Sequence, residues 1–198
     1  IPRLGLGTWK APDNNELVEM IKYAIEEVGY RHVDCAYLYQ NEKHVGIALH
    51  DILKNGKVER KDLWITSKLW NTEHAPENVE KACRQTLADL QLDYLDLYLM
   101  HWPMSWKHGG DLFPYTDETQ TQIAYENIPA IETWKAMEKL VEKGLVKRIG
   151  VSNFTIELLE KFLKSGKVTI KPYLNQVERN LFLQQDALVD YCNQKGIM

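Results

Sequence analysis

Apolar residues return along this chain in two alternating rhythms. From Glu16 onward, Leu17, Ile21, Ala24, Ile25 and Val28 recur three and four residues apart, which is the spacing of one buried helix face. Pro12-Asp13-Asn14 supplies turn and cap chemistry ahead of it, and Gly29 closes it. A short run, His32-Val33-Asp34-Cys35-Ala36, reads as a strand. A second helical face follows over 41–54, built on Val45, Ala48, Leu49, Ile52 and Leu53 and stopped by Asn55-Gly56. The alternation repeats with a strand over 63–69 and a helix starting near Ala75-Pro76 that buries Val79, Ala82, Cys83, Thr86, Leu87 and Leu90. The strand over 94–101 is apolar at both parities, as a strand covered on both faces is. Between Pro103 and Ile128 the rhythm fails; Gly109-Gly110, Pro114 and many polar residues predict a large loop over 103–128. It resumes as helix 130–142, strand 146–151, helix 155–165, strand 172–178 and helix 184–195, and a short extended stretch over 5–10 precedes everything.

Strands alternating with helices imply right-handed crossovers and a parallel sheet. Two α/β architectures fit, an open doubly wound sheet and a (β/α)8 TIM barrel. The open sheet usually carries G-x-G-x-x-G after its first strand, and Thr8-Trp9-Lys10-Ala11-Pro12 cannot serve that purpose. A barrel keeps its working residues at strand ends, and polar or aromatic groups follow every strand here. The barrel is therefore the preferred reading, with residues 1–198 forming one domain of six βα units. A complete barrel has eight units and about 250 residues, so two further units are expected after Met198.

The charge pattern narrows the function. The net charge is -4 with Lys and Arg scattered, which disfavours nucleic acid as a partner. No apolar run approaches the ~20 residues that span a bilayer, so no membrane role is expected. Three cysteines without C-x-x-C spacing suit a reducing, cytoplasmic setting rather than a thiolate zinc site. The histidines show neither H-x-H nor H-E-x-x-H spacing and no G-x-S-x-G occurs, so no metal is expected and hydrolases are disfavoured.

Four strand-end groups complement one another. A tyrosine at neutral pH donates a proton rather than accepting one. Tyr39 is thus a candidate general acid, with Lys68 expected to lower its pKa, Asp34 to hold Lys68 charged, and His101 to donate to a substrate oxygen. Each has an ordinary alternative: a packing tyrosine, a structural ion pair, a core histidine. The joint occurrence at the ends of three successive strands favours the chemical reading. Such a site protonates an oxygen, as carbonyl reduction requires, while the hydride must come from a nicotinamide or flavin.

Gly5-Leu6-Gly7-Thr8-Trp9-Lys10, Asp34 through Glu42, Ser67-Lys68-Leu69-Trp70, His101-Trp102-Pro103, Ile149-Gly150-Val151-Ser152-Asn153-Phe154 and Asn175-Gln176-Val177-Glu178 occur in this order. Together they resemble the aldo-keto reductases, in particular the aldose and aldehyde reductase branch. The resemblance implies a (β/α)8 barrel that binds NADPH without a Rossmann fold. It implies Tyr39 as proton donor, tuned by Lys68 and Asp34, with His101 orienting the carbonyl. By position, Ser152, Asn153 and Gln176 would hold the nicotinamide carboxamide, and Thr8, Trp9, Lys10 and Asp34 would line the cofactor opposite. Trp9, Leu38, Trp70, Trp102 and Phe113, with His101, match substrate-pocket positions bordered by the large loop. Tyr37 departs from the histidine common in close relatives, and Arg179-Asn180-Leu181-Phe182 departs from a His-Pro or Asn-Pro pair. The expected protein is a cytoplasmic monomer reducing a small carbonyl compound. The rival is a nucleotide-binding regulatory or structural protein on the same scaffold.

Overall fold

The computed structural model describes residues 1–198. The main sheet contains β1 (Leu6–Gly7), β2 (His32–Asp34), β3 (Trp64–Leu69), β4 (Leu97–Met100), β7 (Ile149–Ser152) and β8 (Asn175–Gln176) in that spatial order. Every pairing in it is parallel. Between β4 and β7 the chain adds an antiparallel ribbon, β5 (Ser105–Trp106) with β6 (Tyr125–Glu126). The helices are α1 (Asn15–Tyr23), α2 (Glu42–Lys54), α3 (Pro76–Leu90), α4 (Ala130–Glu142), α5 (Ile156–Leu163) and α6 (Asp186–Lys195). No helix is long and apolar enough to cross a membrane.

Side chains alternate across each strand, and this sorts the core into two layers. Ile65, Leu69, Tyr98 and Met100 belong to the large cluster that includes the buried faces of α1 to α4. Leu97, Leu99 and Leu174 form a smaller cluster with Trp64 and Tyr173 on the concave side. Lys68 has the parity of Trp64, so the same alternation that builds the core turns its side chain inward.

The sheet is curled. Gln176 on β8 donates to Asp34 on β2 at 2.9 Å, although β3, β4 and β7 lie between them. In a flat sheet at about 4.8 Å per strand those two positions would stand roughly 19 Å apart. The curled, six-stranded parallel sheet matches a partial (β/α)8 barrel, and the open-sheet alternative falls.

Local chemistry agrees with the sequence at most boundaries. Asn14 caps α1, its side chain accepting from the Glu16 amide. The helix continues as a π-helical turn over Ala24–Val28, and Gly29 ends it at φ 90°, a conformation glycine adopts without strain. Pro76 opens α3, where its missing amide costs nothing. Three expectations are corrected. Several strands are shorter than their apolar runs, most of all β8, where two residues are strand within the predicted 172–178. Ala82 and Leu53 are only partly buried. The region 103–128 contains the β5–β6 ribbon and a Tyr115–Ile123 bridge; two-residue strands are too short to show a period.

Candidate active site

The site begins with Lys68, in the second half of β3. Its side chain is 1% exposed, and its ammonium reaches three oxygens: Asp34 Oδ2 at 2.6 Å, the Cys35 carbonyl at 3.0 Å and Tyr39 Oη at 3.1 Å. Burying an ammonium is costly unless it is paired and hydrogen-bonded, and all three of its donors are used here. Burial alone would push its pKa down, but Asp34 and Tyr39 more than offset this and hold it above the ordinary lysine value.

Tyr39 ends a short 3-10 turn, Tyr37–Tyr39, that follows β2. Its ring packs 4.9 Å from that of Trp9 and edge-on at 6.0 Å from that of His101. Burial raises the phenol above its ordinary pKa; Lys68 pulls the other way but does not cancel it. The expected lowering is therefore corrected. The ammonium acts in the predicted direction, and desolvation outweighs it.

His101 follows β4, and its amide continues the ladder by donating to Leu69. Burial first, then Lys68 and His74, depress its pKa to about 3. The imidazole is accordingly neutral at physiological pH, with one N–H to donate. Its carbonyl accepts from the Asn153 side chain at 3.0 Å.

Asn153, Ser152 and Gln176 form a linked set. Asn153 donates to Ser152 Oγ at 3.1 Å, Ser152 donates to the Gln176 carbonyl at 2.8 Å, and Gln176 joins Asp34. Asn153 adopts φ 61°, which asparagine tolerates better than most residues. Thr8 extends the set, since its hydroxyl and its amide both donate to the Asp34 carbonyl. These bonds leave the side-chain carbonyls of Asn153 and Gln176 and the second N–H of Gln176 without a protein partner, acceptor and donor chemistry that suits a carboxamide such as that of a nicotinamide.

An aromatic wall flanks His101. Trp70 lies 5.1 Å from His101 and 5.6 Å from Phe113, and its indole N–H donates to the Leu112 carbonyl at 2.7 Å. Trp106 packs at 5.1 Å against Trp70 and 5.5 Å against Phe113. Sequence reasoning missed Trp106; a tryptophan inside an otherwise polar loop was the available signal.

The structure thus brings together Asp34, Tyr39, Lys68, His101, Thr8, Trp9, Ser152, Asn153, Gln176, Trp70 and Phe113. Three expected residues make no side-chain hydrogen bond or aromatic ring contact within this cluster. Leu38 sits half-buried in the turn before Tyr39. Lys10 is exposed in a left-handed conformation and makes no side-chain hydrogen bond to the cluster. Trp102 lines a neighbouring cavity of about 660 Å³ with Asn153, Val177 and Leu183. No cluster of three or more His, Cys, Asp or Glu side chains is arranged to hold a metal.

A curled parallel α/β sheet with Asp34, Tyr39, Lys68 and His101 gathered at the carboxyl ends of its strands places the chain in the (β/α)8-barrel class. The sequence profile of the Aldo/keto reductase family matches residues 3–198, and the chain belongs to that family. It is 49% identical over 199 residues to aldo-keto reductase family 1 member A1 of Gallus gallus, and 46% identical over 198 residues to the Homo sapiens protein of that name. Each alignment covers all of this chain and 59% of the relative, so the chain spans about three fifths of their length. Among solved structures, the aldose reductase of Schistosoma japonicum superposes with a TM-score of 0.94 at 47% identity, covering 100% of this chain and 64% of that one. The aldose reductase of Giardia Lamblia gives 0.91 at 47% identity, covering 99% and 63%.

Proposed function

We propose that the chain belongs to an NADPH-dependent reductase that converts small aldehydes, with sugars and ketones as further substrates, into alcohols. The observation that carries this reading is the Lys68 ammonium held between Asp34 and the Tyr39 hydroxyl, with a neutral His101 edge-on to the phenol ring at 6.0 Å. When bound, the reduced nicotinamide supplies the hydride that reaches the carbonyl carbon.

The chain's own residues handle the oxygen. His101 donates a hydrogen bond to the carbonyl oxygen and fixes its approach. Tyr39 delivers its proton to that oxygen as negative charge develops on it. The phenolate left behind is stabilised by Lys68 at 3.1 Å, whose own charge is anchored by Asp34. Trp9 covers one face of the tyrosine, and Trp70, Trp106 and Phe113 wall the pocket and exclude water. Ser152, Asn153 and Gln176 would hold the carboxamide of the nucleotide, and Thr8, Trp9 and Asp34 would line it. The proposal extends to NADPH as the nucleotide, as the resemblance implies, and to a cytoplasmic monomer; the three free, buried cysteines suit a reducing compartment.

Replacing Tyr39 by Phe tests the reading. Loss of NADPH absorbance with a simple aromatic aldehyde should fall by a factor on the order of 10² to 10⁴, the usual contribution of a general acid. Quenching of protein fluorescence by NADPH should persist. Undiminished turnover in that variant sinks the mechanism.

A further inference from the structure

We propose that Glu42 is a positioning residue for the proton donor, clamping the turn that carries Tyr39 to the strand that carries Lys68. The proposal rests on the reading of Tyr39 as the acid.

Glu42 is the first residue of α2, three positions after Tyr39. It is 4% exposed, yet no cation touches it. Instead two hydroxyls donate to its carboxyl group, Ser67 to Oε1 at 2.5 Å and Thr86 to Oε2 at 3.1 Å. Both hydroxyl residues are fully buried. Asp89 and Lys68 act on it from farther away, and Cys35, Cys83 and Tyr98 are the other titratable groups near it. A carboxyl group buried against hydroxyls alone is a costly arrangement, and an apolar side chain would pack there at less expense. Burial raises it to about 7.

The placement gives that cost a purpose. Ser67 immediately precedes Lys68 on β3, so its side chain leaves the strand toward the helices while Lys68 leaves toward the concave side. Glu42 therefore holds β3 from behind at the point where Lys68 projects forward. On the other arm, Thr86 fixes α3. Gly46, one turn along α2, lets the two helices close: a Cβ there would overlap the Asp89 carbonyl oxygen. Asn41 pins the same turn to the β1 loop by donating to the carbonyls of Thr8 at 2.9 Å and Ala11 at 3.2 Å. Between these anchors the backbone has little freedom to let Tyr39 drift from Lys68.

The test uses the full-length enzyme with NADPH and an aromatic aldehyde under single-turnover conditions. Ser67→Ala cuts only the β3 arm and Thr86→Val only the α3 arm, with Glu42→Gln and Glu42→Ala as the direct pair. A misplacement of about 1 Å can lower a rate roughly 10²-fold. Glu42→Ala and Ser67→Ala should slow reduction by about 10-fold or more and enlarge the solvent isotope effect. NADPH affinity and KM should stay within about 3-fold, because the acid rather than the binding set is displaced. Glu42→Gln should recover most of the rate, and Thr86→Val should chiefly lower the melting temperature. Normal single-turnover rates in Ser67→Ala and Glu42→Ala overturn the proposal. So do reduced rates with an unchanged isotope effect, which would mark general damage. If Glu42→Ala does not fold, Ser67→Ala decides alone. A fully active Tyr39→Phe removes the donor reading and this proposal with it, whereas an inactive Tyr39→Phe beside fully active Ser67→Ala removes only this one.

Discussion

Asp34 divides its two oxygens between two tasks. Oδ2 takes the Lys68 ammonium and Oδ1 takes the Gln176 amide. Asp34→Asn keeps the shape but removes the counter-charge from a buried lysine, which burial then drives toward its neutral form. The expected result is a fall in kcat of about 10- to 100-fold, with a smaller change in NADPH affinity measured by fluorescence titration. His101, held down near 3, should contribute no step to the kcat profile between about pH 5 and 8. A pH–rate series comparing the parent with His101→Gln checks this: the substitution should raise KM and lower kcat without removing an ionisation. Asp34, Tyr39, Lys68 and His101 were legible because each lies at or just beyond the carboxyl end of a strand and their chemistries interlock. Glu42 and Trp106 were not. Glu42 reads as an ordinary acid in the first turn of a helix, and only the packing of α2 against β3 and α3 shows it buried.

At the level of elements, the spacing of apolar residues located all six helices, since a buried helix face repeats over several turns. Strand limits were harder to read, because apolar residues flank the paired ones: Tyr94 and Leu95 precede β4, which begins only at Leu97. The β5–β6 ribbon escaped for the opposite reason: its pairing depends on partners about twenty residues apart, Ser105 with Glu126 and Trp106 with Tyr125. The α2–α3 contact gives a direct test of close packing. Gly46→Ala should destabilise the protein by roughly 1–3 kcal/mol, as overpacking does, and lower the urea midpoint. A midpoint unchanged from the parent would mean that the helices separate freely there.

For the whole molecule, acid stability follows from buried histidines. His74 is fully buried, and desolvation depresses its pKa from 6.5 to about 4. A base depressed in the folded state contributes stability that is present above about pH 6.5 and is lost as pH falls through its folded value. For His74 this amounts to roughly 3 kcal/mol. His101 adds to the same loss over a wider window, from about pH 6.5 down to about 3. Glu42, raised to about 7, works in the opposite sense: its contribution is greatest below about 4.5 and fades as pH rises through 7. In urea titrations, His74→Leu should lose less of its midpoint than the parent between about pH 6.5 and 4. An equal loss in both would remove His74 from the account.

The bond between Asp34 and Gln176 also carries information about time. The two residues lie 142 positions apart, so their meeting closes a very long stretch of chain, and contacts of that separation form slowly because the entropy of closure precedes their reward. Helices and neighbouring strand pairs can assemble while this clasp is still open. In a refolding experiment, helical circular dichroism should therefore return before the aldehyde reduction proposed above. Turnover becomes a clock for the final step, the curling of the sheet that brings its second and last strands to one carboxylate.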